Sequence, residues 1–164
     1  MKAPKLCYNL PTMERIRILS LKSLSRRQQA IIRVGQQEAA RVWTVCRDRH
    51  QTARQDHQSW PNRDALQKAT KGQFALHSQS VQRVAHAFLA NGDTAQQLRN
   101  QGRTEIRYPY KDKTFYPVLW PAQAMGLEDK RLVLPMGRGR ASLVVPRPVA
   151  YHKGRLQGCL ERCP

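Results

Sequence analysis

The sequence predicts an α+β fold in which three helices interrupt a set of short β-strands, and three observations support it. Residues 14–22 alternate apolar and polar side chains as a strand does. From residue 25 to residue 92, apolar side chains recur at the three- and four-residue steps of amphipathic helices. Beyond residue 102, short β-prone runs are separated by proline and glycine. About five strands divided by a helical insertion indicate a small, partly open β-barrel of the OB type.

The first strand follows a polar, proline-containing arm over residues 1–12, which we expect to be loose. In the segment ERIRILSLK, Ile16 and Ile18 share one strand face before the pattern passes to Leu19 and Leu21. Such a shift is typical of a bulge or a bend, so a bent strand is predicted over residues 14–22.

The first helix is predicted from Ser25 to about His57, because its apolar residues cluster on about one third of a helical wheel. They are Ile31, Ile32, Gly35, Ala39, Val42, Trp43 and Cys46, and the arginines largely off this face are Arg26, Arg33, Arg41 and Arg47. The basic face either lines nucleic acid or is solvated, and the sequence leaves both open.

Two further helices are predicted from their caps. Asn62 follows Trp60-Pro61 and can cap a short helix over residues 63–69. The third helix is predicted from Thr70 to Gly92, with Thr70 and Gln73 as a capping box and Gly92 as the terminating glycine. Its apolar stripe comprises Phe74, His77, Val81, Val84, Ala85 and Phe88.

The remaining strands are predicted after a polar hinge over residues 92–102. The β-prone runs that follow are residues 104–108, 114–120, 131–134 and 141–145. Residues 146–164 show neither helical nor strand periodicity, so we expect a disordered or poorly packed tail.

The charge of the chain indicates a polyanionic partner. Its 164 residues suffice for one domain, and 29 Lys and Arg against 11 acidic residues give a net charge of +18. The charge is distributed, with 16 basic and 6 acidic residues in 1–98 and 13 and 5 in 99–164. Nucleic acid is therefore the expected partner. No stretch resembles a leader or a membrane span, so we expect a cytoplasmic protein that does not bind membranes.

The chemistry-bearing residues do not predict an active site. Cys7, Cys46, Cys159 and Cys163 are expected to be reduced, and the single close pair, Cys159 and Cys163, lacks the second pair of a zinc site. Cys46, His50 and His57 recur on one helix face, as ligands or as ordinary surface histidines. The acidic residues are scattered, so neither a catalytic site nor a metal site is predicted.

Two basic segments are predicted to contact nucleic acid. Residues 107–113 interleave Arg107, Lys111 and Lys113 with Tyr108 and Tyr110, the pattern of cations on phosphates and rings on bases. Phe115 and Trp120, which follow, are expected in the core. In the second segment, Gly137-Arg138-Gly139-Arg140, the two arginines can clamp phosphates, the alternative being a glycine hairpin with solvated charge.

Three segments together resemble the amino-terminal part of TnpB-type proteins, which are transposon-encoded, RNA-guided DNA endonucleases often labelled transposases. The segments are WPNRDALQKATKGQFALHSQSVQRVAHAFLANGDT, RYPYKDKTFYPVLWPAQ and LVLPMGRGRASL, and the resemblance covers residues 13–145. It implies a wedge β-barrel over residues 1–24 and 103–145, and a helical recognition lobe over residues 25–102.

The resemblance also implies partners and site residues. Guide RNA and target DNA are the implied partners. Gln73, Phe74 and His77 match the positions that read a DNA motif beside the target, although His77 departs from a polar amide that can stand there. Apart from the resemblance, the basic and aromatic residues expected to contact the nucleic-acid backbone or bases are Arg83, Arg107, Tyr108, Tyr110, Lys111, Lys113, Arg138 and Arg140.

The family cuts DNA with three carboxylates and carries a four-cysteine zinc ribbon, and both lie downstream of the matched segments. This chain stops at Pro164, before either. We therefore expect a binding protein of the prokaryotic nucleoid without nuclease activity, with Mg²⁺ and Zn²⁺ confined to the missing part. An autonomous regulator that competes with the intact nuclease is the alternative, and the oligomeric state is left open.

Overall fold

The computed structural model describes residues 24–129 and 131–146, together with the backbone of residues 158–160. It confirms an α+β fold with three helices. They are α1 (Arg26–Gln55), α2 (Arg63–Thr70) and α3 (Ser78–Asn100). The strands are β1 (Val118–Trp120), β2 (Gly126–Glu128), β3 (Arg131–Leu134), β4 (Leu143–Pro146) and β5 (Gly158–Leu160). The predicted arm and first strand lie outside the described residues.

Helix α1 begins where the change of period predicts, and α2 begins where its cap predicts. Ser25 forms a capping box with Gln28, and the Asn62 side chain accepts a hydrogen bond from the backbone N–H of Ala65 at 2.9 Å. The apolar face of α1 is buried at Ala39, Val42, Trp43 and Cys46, as the periodicity predicts. These two helices are therefore specified locally.

The predicted start of the third helix at Thr70 is wrong, because α3 begins eight residues later at Ser78. Thr70 is instead the last residue of α2, and its hydroxyl donates to the carbonyl of Leu66 at 2.8 Å. Gly72 follows with a φ of 73°, a left-handed conformation in which the helix cannot continue. His77 occupies the N-cap position of α3 without a side-chain cap hydrogen bond.

The predicted end of that helix at Gly92 is also wrong. Gly92 is buried inside α3, which continues to Asn100 and ends before Gly102, whose φ is 89°. The segment expected to be a polar hinge is thus mostly helical, since Ala95 extends the buried face of Val84, Ala85 and Phe88 by two more turns.

The strands form two small antiparallel sheets. Strands β2, β3 and β4 make an open three-stranded sheet in that order, and β1 pairs with β5. Predicted strands 131–134 and 141–145 correspond to β3 and β4, whereas β2 was not predicted. These strands do not establish the predicted OB-type barrel. Of the predicted disordered tail, only residue 146 and the backbone of β5 are described, and both belong to strands.

Residues 104–108 do not form the predicted strand, and the predicted strand 114–120 is reduced to its last three residues. The Arg99 guanidinium donates to the carbonyls of Thr104 and Ile106, at 2.5 and 2.8 Å. The backbone N–H of Tyr116 donates to the carbonyl of Gln36 at 3.1 Å. Side chains and α1 therefore supply the hydrogen bonds that a strand neighbour would supply.

One apolar core joins the helices to the strands. Trp43, Val84 and Phe88 of the helices pack in the same cluster as Val118, Trp120, Leu134, Met136 and Leu143. The Trp120 indole N–H donates to the carbonyl of Pro135 at 2.8 Å, which satisfies its polar atom inside the core. No helix in the described part of the chain is long and apolar enough to span a membrane.

Candidate nucleic-acid interface

A cleft of about 640 Å³ lies where the end of α2, the start of α3 and the segment 135–142 meet. Its apolar lining residues are Phe74, Leu76, Val81, Pro135 and Met136. Four cationic side chains also border it, namely Lys68, Lys71, Arg138 and Arg140, together with the single carboxylate of Asp64. An apolar floor with a cationic border suits a ligand that has both an apolar and an anionic part.

The cleft exists because two loops distant in sequence are joined to each other. The backbone N–H of Arg138 donates to the carbonyl of Ala75 at 2.7 Å. Gly137 makes this approach possible, since a Cβ at that position would lie 1.9 Å from the Ala75 oxygen, and its φ is 114°. The glycine that the sequence indicates as a flexible turn is thus a close packing point.

Glu38 of α1 contacts both loops, the one at Ala75 and the one at Arg140. The residue is 7% exposed, and one carboxylate oxygen accepts hydrogen bonds from the backbone N–H groups of Ala75 and Leu76. The other oxygen pairs with the guanidinium of Arg140. Sequence reasoning missed Glu38, because an isolated acidic residue on a basic helix gives no local signal.

The two arginines predicted to clamp phosphate differ in their exposure to solvent. Arg138 is exposed at the border of the cleft. Arg140 is half-buried, and its charge is engaged by Glu38. Arg138 is therefore the arginine available to a phosphate from solvent, while Arg140 stabilises the turn that presents it.

Two of the three predicted motif-reading residues, Phe74 and His77, border this cleft, whereas Gln73 is exposed and does not. Burial lowers the pKa of His77, so its imidazole is neutral at neutral pH. Its Nδ1 atom is buried without a hydrogen-bond partner among the described residues. A neutral imidazole has one donor and one acceptor nitrogen, and because Nδ1 is buried, Nε2 is the nitrogen left to engage a base edge.

Tyr108 and Tyr110, predicted to stack on bases, stack on each other with ring centroids 5.6 Å apart. Guanidinium groups of Arg54 and Arg99 lie 5.6 and 5.7 Å from the Tyr108 ring centroid. The Tyr108 hydroxyl donates to Gln96. One face of each ring and both hydroxyls are therefore engaged within the protein.

His50 is the centre of this aromatic cluster rather than a surface histidine, and it is 2% exposed. Its Nδ1 lies 2.7 Å from the Tyr110 hydroxyl, and its ring centroid lies 4.3 Å from that of Trp60. In the described part of the chain no group of three or more His, Cys, Asp or Glu side chains is placed to hold a metal ion. Cys46 is a free thiol whose pKa burial raises to about 12, so it is unreactive at neutral pH.

The remaining predicted contacts lie away from the cleft. Arg107, Lys111 and Lys113 border a smaller pocket of about 270 Å³ over Trp43, where the Lys113 ammonium lies 4.8 Å from the indole centroid. Arg83 is half-buried on α3, and its Nε has no hydrogen-bond partner among the described residues. Phe115 is half-buried and Trp120 fully buried.

Acidification is expected to destabilise the fold, because three histidines are held neutral. Burial lowers the pKa values of His50, His77 and His86 from the ordinary 6.5, with Arg54 adding to the effect at His50, and Arg63 and Arg83 at His86. Asp93 partly opposes it at His50. A histidine with a lowered folded pKa contributes stability above its unfolded pKa, which is lost as the pH falls toward the folded value. The urea midpoint should therefore decrease from about pH 6.5 downward.

The control for this pH dependence is His86→Gln. The Arg63 Nε–H donates to His86 Nε2 at 2.6 Å, and a glutamine oxygen can accept the same hydrogen bond without titrating. The variant should show a smaller loss of stability between about pH 7.5 and pH 5.5 than the parent protein. An unchanged urea midpoint of the parent across this interval would contradict the prediction.

Comparison with known proteins gives no match to a family model, to a curated protein or to a solved structure.

Proposed function

We propose that this protein binds nucleic acid as a wedge and recognition module of the TnpB type, with guide RNA and target DNA as its partners. The observation that carries the proposal is the cleft. It brings Phe74 and His77, which the resemblance assigns to motif reading, together with Arg138, which its glycine-arginine turn predicts to contact phosphate, although 61 positions separate His77 from Arg138. The net charge of +18 supports a polyanionic ligand.

The proposed role is binding alone. In the family, the nuclease carboxylates and the zinc ribbon lie downstream of the segments matched here, so the proposal assigns no catalytic residue to this chain. Residues 1–24 and 103–145 correspond in it to an OB-like wedge and residues 25–102 to a recognition lobe, and the site of action is the prokaryotic nucleoid.

Arg138→Ala is expected to weaken binding to structured RNA, and the measurement is the dissociation constant as a function of salt. Each phosphate-contacting cation contributes about one unit to the slope of log affinity against log salt, so the variant should lose roughly that much. The matched control is Arg103→Ala, which removes the same charge from an exposed position outside the cleft.

Two results would contradict the proposal. One is parent binding that is as strong at ~0.5 M salt as at ~0.05 M, because phosphate contacts release counterions and must weaken with salt. The other is an equal loss of affinity in Arg103→Ala and Arg138→Ala, which would indicate that net charge alone, without the cleft, determines binding.

A further inference from the structure

The floor of the cleft is more apolar than a phosphate site requires. Leu76, Val81 and Met136 border it with at most 6% exposure each, and the Phe74 ring is half-buried beside them. A phosphate group gains nothing from such a surface, because its oxygens prefer N–H donors and cations. A planar aromatic ligand does gain, by burying apolar area and stacking on a phenyl ring.

The walls of the cleft carry groups that can read the edge of such a ring. The exposed Gln82 presents a side-chain amide, and the half-buried imidazole of His77 borders the cleft with Nδ1 buried. Gln67 also borders it, but its amide lies 3.1 Å from His86 Nε2. Lys68, Lys71 and Arg138 lie at the exposed border. Stacking surface, edge-reading groups and external cations together match the three parts of a nucleotide: base faces, base edge and phosphate.

We infer that the cleft holds one unpaired nucleotide, with its base against Phe74 and its phosphate at Arg138. This inference rests on the proposed function and specifies which form of nucleic acid the cleft takes. The volume of about 640 Å³ is in the range of sites that enclose small ligands. A paired base cannot enter, because both of its faces are covered by the stack and its pairing edge is engaged.

The test uses the full chain and three short RNA hairpins that differ at one position. The first carries a single bulged 2-aminopurine, the second an abasic residue at the bulge, and the third no bulge. We expect the bulged hairpin to bind roughly tenfold more tightly than the abasic one, as is typical for one base stacked on an aromatic ring. Binding should also change the 2-aminopurine fluorescence.

Phe74→Ala and Phe74→Leu separate stacking from folding. Leucine keeps apolar volume in the cleft and removes the aromatic face, so this variant is expected to fold when alanine does not. In either folded variant the ratio between bulged and abasic hairpins should fall toward one. Arg138→Ala should weaken both hairpins equally and leave the ratio unchanged, because phosphate contacts carry no information about the base.

The outcomes distinguish the inference from the proposed function. Equal affinity of the parent protein for all three hairpins overturns the unpaired-nucleotide inference and still supports nucleic-acid binding. A bulge preference that persists in Phe74→Leu also overturns it, because the base would then lie elsewhere. Failure of all three hairpins to bind at low salt overturns the proposed function itself.

Discussion

Gly137→Ala is expected to lower the free energy of unfolding by at least about 3 kcal/mol, since two independent strains coincide at this residue. Its φ of 114° is a conformation that alanine rarely adopts, and the added Cβ would lie 1.9 Å from the carbonyl oxygen of Ala75. The backbone atoms of Ala75 and Leu76 cannot move aside without breaking their hydrogen bonds to Glu38. Urea unfolding followed by circular dichroism measures the loss.

The matched control for this substitution is Gly139→Ala, two residues along the same turn. Gly139 also has a positive φ, of 68°, but a Cβ there meets no atom within 4 Å. Only the conformational cost of about 1–2 kcal/mol is expected, so the two variants isolate the packing contribution. Equal losses in both would show that the contact between Gly137 and Ala75 does not hold the two loops together.

Glu38→Ala is expected to cost about 3–4 kcal/mol, because it leaves buried donors without partners. The N–H groups of Ala75 and Leu76 would lose their acceptor, and Arg140 would lose its ion pair. Glu38→Gln keeps an oxygen for the two N–H groups and removes only the charge, so about 1–2 kcal/mol is expected. Arg140 is partly exposed, and its charge can turn toward water.

The control for Glu38 is its neighbour Gln37, which is exposed on the same helix. Gln37→Ala should change the free energy of unfolding by less than about 0.5 kcal/mol. A double-mutant cycle between Glu38→Gln and Arg140→Met then measures their coupling. If the effects of the two substitutions on the free energy of unfolding are additive, the ion pair does not stabilise the turn, and Glu38 acts through its two backbone hydrogen bonds alone.

The cleft depends on both residues, so the same variants connect stability to binding. Gly137 lies within the turn that presents Arg138, and Glu38 lies beneath the loops that carry Phe74 and Arg138, and neither is proposed to touch nucleic acid. Glu38→Gln removes one negative charge, which by itself should strengthen the binding of RNA. It also loosens the turn that presents Arg138, so the folded variant should bind RNA more weakly than its added charge predicts. Salt-dependent affinity, measured beside Gln37→Ala, checks this.

Features whose signals lie within a few residues of each other follow from the sequence alone. Ser25 with Gln28 and Asn62 with Ala65 specify the starts of two helices, and helical periodicity specifies the buried face from Val81 to Phe88. The net charge is likewise a property of the sequence. Such local signals need no distant partner.

The start of α3, the environment of the tyrosine rings and the formation of the cleft depend instead on contacts between residues distant in sequence. Thr70 and Gln73 have the pattern of a capping box, but the loop after Gly72 gives its N–H groups to Glu38, 37 and 38 positions away. Tyr108 and Tyr110 have the pattern of base-stacking residues, but they pack around His50. In each case a hydrogen bond or a contact with a residue distant in sequence outweighs a local preference worth about 1 kcal/mol, and that partner is known only once the chain is folded.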